Sequence, residues 1–274
     1  MDLVTLSNLE PWQWPENAGE IFLEVLKDRE EDHEDRILAA EMAGETVAVN
    51  DAIVETLLAI ATSDQEPEKL RGQALISLGP VLELSDLEEF EDPDGMPITE
   101  ETFWTIQATL YNLFQDSQLP KFVRRCVLEA AVRVENDWLE QAVQNAYESD
   151  DEDWKLTAVF CMHYLPGFSK QILESLNSSN PLIHYHAVLA AGNWELAQAW
   201  DHVAALAESE ETEKDLRLGA IEALGTIKPA KSVPIFHDLI SDEDEDIVEA
   251  ARESLGMAEG IMDLDDDLDD EDLD

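Results

Sequence analysis

Basic residues are scarce in this sequence. Across 274 residues, 16 Lys and Arg stand against 64 Asp and Glu, which gives a formal net charge of −48. A nucleic-acid backbone is bound through a face rich in Lys and Arg, so this balance excludes nucleic-acid binding. It equally disfavours binding to anionic membrane surfaces. The surplus of carboxylates favours a basic protein partner or a solvating role.

Other absences narrow the class of protein. The two cysteines, Cys126 and Cys161, fall inside helical patterns, which predicts buried free thiols in a reducing cytoplasm. No apolar run approaches the ~18 residues of a membrane-spanning helix, and the first residues lack the basic and apolar regions of a secretory signal. No hairpin turn lies between alternating apolar runs, so strands are not expected. These features predict a soluble, cytoplasmic, all-α protein.

The usual chemical motifs are also missing. No glycine-rich phosphate loop and no recognisable nucleophile motif is present. His184 and His186 are two residues apart on a predicted helix, which points them to different faces rather than at one metal ion. The sequence therefore predicts no catalytic residue, no cofactor and no metal site, and we do not expect an enzyme.

What the sequence does contain is a recurring helix. The clearest copy runs from Asp215 to Gly225, with apolar or small residues at Leu216, Ala220 and Leu224 forming a stripe of period 3.6. Gly225 is expected to end this helix as a C-cap in the left-handed conformation.

Weaker copies of this helix recur at intervals of roughly 30–35 residues, a period typical of a solenoid, except that the step from Arg71 to Arg124 is longer. The copies start near Asp35, Glu68, Pro120, Asp153, Pro181, Asp215 and Asp246. Second amphipathic helices are predicted between them, at Asp51–Thr62, Glu101–Gln115, Trp138–Tyr147, Ser169–Leu176, Leu196–Ala207 and Ser232–Ile240. Alternating helices joined by short turns are typical of stacked αα-hairpins.

The motif of Asp-Leu-Arg, small residues and a closing Leu-Gly resembles HEAT-like repeats, a class that includes the phycobilin-lyase type. Arg71 and Arg217 stand where such repeats carry their basic residue, and the resemblance covers roughly Ala18 to Ala258. It implies a scaffold or adaptor, and only rarely an enzyme. Some members are di-iron hydroxylases built on several His-Glu dipeptides, whereas this chain has one, His33-Glu34.

We therefore predict a right-handed α-solenoid of about six to seven helix pairs over residues 1–260. The tryptophans Trp12 and Trp14 are expected to cover the open end of the first repeat. An acidic insertion is predicted at residues 80–99, either as a binding loop or as a solvated excursion. Residues 261–274 form an acidic tail that is predicted to be disordered.

The charge pattern predicts where a partner binds. Dense acidic clusters at 28–35, 148–153, 208–215 and 242–246 fall where a second helix ends and the next repeat begins. Equivalent turns line up in a solenoid, so we expect an acidic ridge along one edge. Helix capping accounts for one or two acids in each turn, but not for five consecutive acids at 242–246.

Aromatic residues supply candidate anchors. If the second helices line a concave wall, as is usual in HEAT-like arrays, then Trp104, Tyr111, Trp138 and Trp200 are the best candidate partner contacts. The resulting hypothesis is a scaffold that binds the basic segment of a protein. The alternatives are a lyase or chaperone for a cofactor, by analogy with phycobilin lyases, or acidity that reflects salt adaptation alone.

Overall fold

The chain consists of helices and short connections. The computed structural model describes residues 2–87, 90 and 96–271, with the main chain alone over 261–271, and no strand occurs within these ranges. Of the residues described, none lies in a helix long and apolar enough to cross a membrane. The predicted all-α repeat fold is confirmed.

Each copy of the recurring sequence forms a helix, and we call these the motif helices. They are α3 (His33–Ala43), α5 (Glu68–Ile76), α8 (Lys121–Ala131), α10 (Glu152–Cys161), α12 (Pro181–Asn193), α14 (Lys214–Thr226) and α16 (Glu245–Glu271). The other α-helices are α1 (Leu3–Leu6), α2 (Ala18–Lys27), α4 (Asp51–Thr62), α6 (Gly79–Leu87), α7 (Glu100–Gln115), α9 (Leu139–Tyr147), α11 (Ser169–Ser175), α13 (Trp200–Glu208) and α15 (Pro229–Leu239). Short 3₁₀ helices cover Pro11–Gln13 and Ala197–Ala199.

The helices pack in two layers within each of two compact units, residues 1–143 and 144–274. In the first unit the motif helices α3, α5 and α8 lie side by side, and α2, α4 and α7 form the second layer. In the second unit α10, α12, α14 and α16 form the motif layer, while α13 packs against α15. Each layer buries its apolar stripe against the other, as in other helical repeat arrays.

The helices that pack together as hairpins are not the pairs predicted from the sequence, because the pairing is shifted by one helix. In several hairpins the helix before a motif helix packs mainly against that motif helix, as in α2 with α3, α4 with α5, α13 with α14 and α15 with α16. The helices predicted as second are therefore the N-terminal helices of their hairpins. Since the concave position of the aromatic helices was inferred from their being second, that inference no longer applies.

The closing glycines differ from the prediction. Gly225 lies inside α14, and Gly44 ends α3 with an ordinary right-handed φ of −78°. Among the described glycines only Gly167 has a positive φ. The structure explains the motif by packing: a Cβ on Gly44 would lie 2.7 Å from Ser77, and one on Gly192 would lie 2.7 Å from Ala223 Cβ. The glycines allow neighbouring motif helices to approach closely.

The repeated arginine ties each hairpin together. In three repeats its Nε atom donates a hydrogen bond to the main-chain carbonyl ten residues earlier, at the end of the preceding helix. The pairs are Arg36 with Leu26 (3.3 Å), Arg71 with Ala61 (3.0 Å) and Arg217 with Ala207 (3.0 Å). The side chain thus satisfies a carbonyl that a helix end leaves without a partner inside the helix.

The ends of the array follow the predictions in part. Trp14 packs edge-on against Phe22 and donates from Nε1 to the carbonyl of Leu6 (3.0 Å), so it caps the first repeat as expected. Trp12 does not, since it is 76% exposed.

The two acidic segments predicted from the sequence are the insertion at residues 80–99 and the tail at residues 261–274. The first part of the predicted insertion belongs to helix α6, which ends at Leu87 and buries Val81 and Leu82. Residues 88–89 and 91–95 lie outside the described residues. The acidic tail begins within α16, which runs to Glu271, while 272–274 lie outside the described residues. Disorder of this tail stays a prediction.

Both cysteines are buried free thiols, as predicted. Burial, followed by the nearby carboxylate of Glu129, raises the pKa of Cys126 to about 12. The neutral thiol is therefore favoured, and a nucleophilic role is not supported.

Candidate functional site

Helix α7 carries a candidate contact surface in the first unit. Its start is fixed by the N-cap residue Thr99, whose main-chain N–H and hydroxyl both donate to Asp51 Oδ1 at the start of α4 (2.9 and 3.2 Å). Burial acts to raise the pKa of Asp51, but hydrogen bonds from Thr102 and Thr99 outweigh it, and the pKa is lowered. This charged contact sets the position of α7 relative to α4.

The two sides of α7 have different environments. Phe103, Ile106 and Leu110 are buried at helical spacing and hold the helix against the core. Trp104 and Tyr111 lie on the neighbouring stripe of the helix and are 57% and 44% exposed. Large aromatic side chains that stay exposed at a fixed position on a rigid helix are typical of binding surfaces.

Trp138 extends this surface from the turn before α9. Its ring lies 5.7 Å from the ring of Tyr111 and 4.9 Å from that of Phe114. It is half-buried, so part of the ring remains accessible. The structure therefore brings Tyr111 and Trp138 together. We refer to Trp104, Tyr111 and Trp138 as the aromatic surface.

Trp200 belongs to the second unit and is more enclosed. Its Nε1 donates to Ser232 Oγ at 3.0 Å, and the ammonium group of Lys231 lies 3.3 Å from its ring centroid. Lys231 also pairs with Asp201 at 3.3 Å. These contacts join α13 to α15, which gives Trp200 a structural role in addition to the predicted contact role.

A groove of about 660 Å³ lies between α4 and α7. Threonines dominate the α7 side of this groove, at Thr102, Thr105 and Thr109. This groove was not predicted from the sequence, although threonines spaced three and four apart on one helix were the available signal.

The acidic turns lie where the sequence placed them, between a helix and the motif helix that follows. Many of their carboxylates cap that motif helix. Asp32 accepts from the N–H of Glu34 (2.9 Å), and Asp151 accepts from that of Asp153 (3.0 Å). Such caps satisfy N–H groups at the helix start and complement its dipole.

Acids in two of the turns between helices pair with bases from the preceding motif helix: Glu66 lies before α5, outside the four acidic clusters, and Asp242 lies before α16. Glu66 lies 2.7 Å from Arg36, and Asp242 lies 2.7 Å from Arg217. Lys214 contacts Asp244 at 2.8 Å. Lys214 and Arg217 lie at the start of α14, so these pairs place the acidic turn before α14 beside the one before α16.

A hydrogen bond from Arg36 lowers the pKa of Glu66, against the opposing effect of burial. Capping by the N–H of Asp244 and the contact with Arg217 lower the pKa of Asp242 in the same way. In contrast, Glu243 and Glu245 are exposed and form no ion pair among the described residues. Only part of the acidity is therefore explained by the fold.

The histidines separate as predicted. His184 Nε2 lies 2.9 Å from His202 Nε2 on α13, whereas His186 packs against the ring of Phe160. Burial lowers the pKa of all three, and the charge of His202 contributes for His184. No group of three or more His, Cys, Asp or Glu side chains among the described residues could hold a metal ion.

Comparison with known protein families identifies repeats in the second unit of the chain. Residues 169–256 match the family model for HEAT repeats. This segment starts at the first residue of α11 and ends within α16, in the same frame as the packed hairpins. No curated protein matches the sequence.

Solved structures with a similar arrangement of helices include YibA of E. coli, with 15% identity, 90% of this chain and 84% of that chain covered, and a TM-score of 0.44. Human deoxyhypusine hydroxylase in complex with glycerol has 15% identity, 94% and 88% coverage, and a TM-score of 0.43. A chain from the structure of Kap95p with RanGDP has 17% identity, 93% and 42% coverage, and a TM-score of 0.38.

The match over 169–256 covers the C-terminal hairpins, and the same motif, buried arginine and close helix contacts recur in the N-terminal unit. Residues 169–256 are therefore HEAT repeats, and the N-terminal unit is built of helical hairpins with the same recurring contacts.

Proposed function

We propose that this protein is an interaction scaffold that binds the basic segment of a partner protein through the aromatic surface, with the acidic turns attracting the partner. Helical repeat arrays present extended surfaces for protein binding, which fits this general role. The observation that carries the specific proposal is the exposure of Trp104 and Tyr111 on one side of α7, next to Trp138.

The two parts of the surface act at different stages. Exposed carboxylates, such as Glu243 and Glu245, raise the rate of encounter with a basic partner, and this effect weakens as salt screens the charges. Aromatic rings act after encounter, because burying a large ring slows dissociation. A net charge of −48 supports a basic rather than an acidic partner.

Capture from a cell extract followed by mass spectrometry tests this proposal. The wild-type chain is compared with the W104A/Y111A variant at about 0.05 M and about 0.5 M salt, on either side of the ionic strength at which the screening length is ~8 Å. Trp12→Ala is the matched control, since Trp12 is an exposed tryptophan outside the aromatic surface.

The proposal expects proteins with basic segments to be captured at low salt, lost with W104A/Y111A and retained with W12A. Bound proteins that persist with the double variant would contradict a role for the aromatic surface. A chain that folds only in molar salt would instead favour salt adaptation as the reason for the acidity.

A further inference from the structure

The motif-helix layer of the second unit contains a groove that the proposed function does not use. It has a volume of about 560 Å³ and lies between α12, α14 and α16. Its apolar side chains include Leu182 and Tyr185 from α12, Leu216 from α14 and Met257 from α16. Leu182 is 55% exposed and Met257 is 48% exposed, so the groove is open to solvent.

Gly219 helps to form the floor of this groove. A Cβ at this position would lie 3.2 Å from Cε2 of Tyr185 and 3.0 Å from Cδ2 of Leu189. The missing side chain lets the Tyr185 ring lie against α14, which leaves a trough instead of a ridge. The apolar floor therefore results from a specific close contact between two helices.

The rim of the groove is acidic. Glu213, Asp215, Glu222 and Glu253 line it, and no Lys or Arg does. Glu213 caps α14 by accepting from the N–H groups of Asp215 and Leu216 (3.1 and 3.3 Å). Asp215, Glu222 and Glu253 are exposed and form no ion pair among the residues described.

Tyr185 connects floor and rim. Burial raises the pKa of its hydroxyl, and the charges of Glu222 and Asp215 raise it further. The phenol is therefore kept neutral next to two carboxylates. A cation in this position would be attracted by both carboxylates and by the face of the ring.

We infer that this groove binds a cationic amphipathic segment of a partner protein. The aliphatic side chains of this segment would contact Leu182 and Met257, and its Lys or Arg side chains would contact Glu222 and Glu253. Charge complementarity selects this occupant, because a rim of four carboxylates repels an acidic segment such as the chain's own C-terminal residues. The long apolar stems of Lys and Arg also suit an apolar floor with a charged rim.

This inference shares with the proposed function only the basic chemistry of the partner, since the groove lies in the other helix layer and the other unit. The probe is a labelled 14-residue helical peptide of Leu and Lys, and binding is measured by fluorescence anisotropy. Two further peptides serve as controls: one with Ser in place of Leu at equal charge, and one with Glu in place of Lys.

The decisive variants alter the rim or the floor. We expect E222Q/E253Q and L182S/M257S each to weaken binding of the Leu/Lys peptide by about tenfold, equal to ~1.4 kcal/mol. The charge-matched control E195Q/D238N removes two exposed acids outside both the groove and the acidic turns, and should change the dissociation constant less than about twofold. Because all six side chains are exposed, the variants should keep the circular dichroism spectrum of the wild type.

Several results would overturn the inference. They are no binding of the Leu/Lys peptide, equal binding of the Ser/Lys peptide, or equal loss with E195Q/D238N. Sedimentation that shows a dimer broken by L182S/M257S would assign the groove to a second copy of the chain instead. If W104A/Y111A abolishes peptide binding while E222Q/E253Q does not, the groove is excluded as the binding site and the proposed function stands. If E222Q/E253Q abolishes peptide binding while W104A/Y111A does not, the groove is supported and the aromatic surface is not.

Discussion

The guanidinium group of Arg217 joins the end of one helix to the turn before another. Its Nε donates to the carbonyl of Ala207 at 3.0 Å, and its Nη2 donates to Asp242 Oδ2 at 2.7 Å. Ala207 lies near the end of α13, and Asp242 lies in the acidic turn before α16. One side chain therefore links its own hairpin to the next. Arg36 repeats the arrangement with Leu26 and Glu66.

Arg217→Met should destabilise the second unit by about 3 kcal/mol, because it leaves the Ala207 carbonyl and the Asp242 carboxylate without their partner in a largely buried site. The measurement is the midpoint of urea denaturation followed by circular dichroism. Lys170→Met is the control: Lys170 pairs with Glu174 on an exposed helix face, so its loss should cost less than about 0.5 kcal/mol. Equal effects of the two changes would show that Arg217 is not a structural link.

The glycines at helix contacts give a second test. Gly192→Ala should destabilise by about 1–3 kcal/mol, because the new Cβ would lie 2.8 Å from Ala223 Cα, which belongs to the backbone and cannot move aside cheaply. Gly256→Ala, in contrast, meets no atom within 4 Å and should stabilise α16 by about 0.5–1 kcal/mol. Thermal denaturation of the two variants checks the opposite signs, and a neutral G192A would refute the packing explanation of the motif.

Stability should also depend on the histidine pair. The pKa values of His184 and His202 are lowered in the folded chain, so the unfolded chain binds more protons. Their contribution is complete above the unfolded pKa of about 6.5 and is lost as the pH falls through the lower folded values. We expect the free energy of unfolding to decrease between about pH 7.5 and 5.5.

The H184Q/H202Q variant should reduce this dependence on pH, and His186 accounts for part of what remains because its pKa is lowered as well. The exposed His237 provides the control variant H237Q. A pH profile that does not change in the double variant would show that the pair does not titrate in this range. The carboxylates of Glu66 and Asp242 also have lowered pKa values. They titrate at lower pH than the histidines, so they do not affect the comparison of the two histidine variants.

The sequence predicted the helices well because their signal is local. The motif around Arg217 and its copies gave all seven motif helices, since apolar periodicity is set within each helix. The role of Gly225 was misread because a glycine at a helix end and a glycine at a helix contact look the same in a sequence. Only the structure shows which helix lies opposite.

The candidate sites were harder to predict than the fold. Exposure of Trp104 was not deducible, because the aromatic residues of α7 occupy two neighbouring stripes and only packing decides which is buried. The groove next to Tyr185 was missed, although Leu182 and Tyr185 stand outside the buried stripe of Ile183 and Ala187. That second apolar stripe on α12 was the available signal.

A comparison of two tryptophans separates contact residues from structural ones. Trp194 is half-buried and its Nε1 donates to the carbonyl of Met162 at 2.7 Å, so Trp194→Ala should cost about 3 kcal/mol through lost packing and an unpaired carbonyl. Trp104 is 57% exposed, and its Nε1 contacts only the exposed side chain of Glu100 (3.2 Å). Trp104→Ala should therefore change the free energy of unfolding by less than about 0.5 kcal/mol, as expected for a surface substitution.

Differential scanning calorimetry of both variants tests this contrast. A single transition temperature is not assumed, since repeat arrays unfold in parts, and the transition of each unit is compared with that of the wild type. A marked decrease of the first unit's transition in W104A would show that the Trp104 ring belongs to the core, and the aromatic surface would lose its main anchor. An unchanged transition combined with lost partner capture would instead identify Trp104 as a side chain whose exposure serves binding.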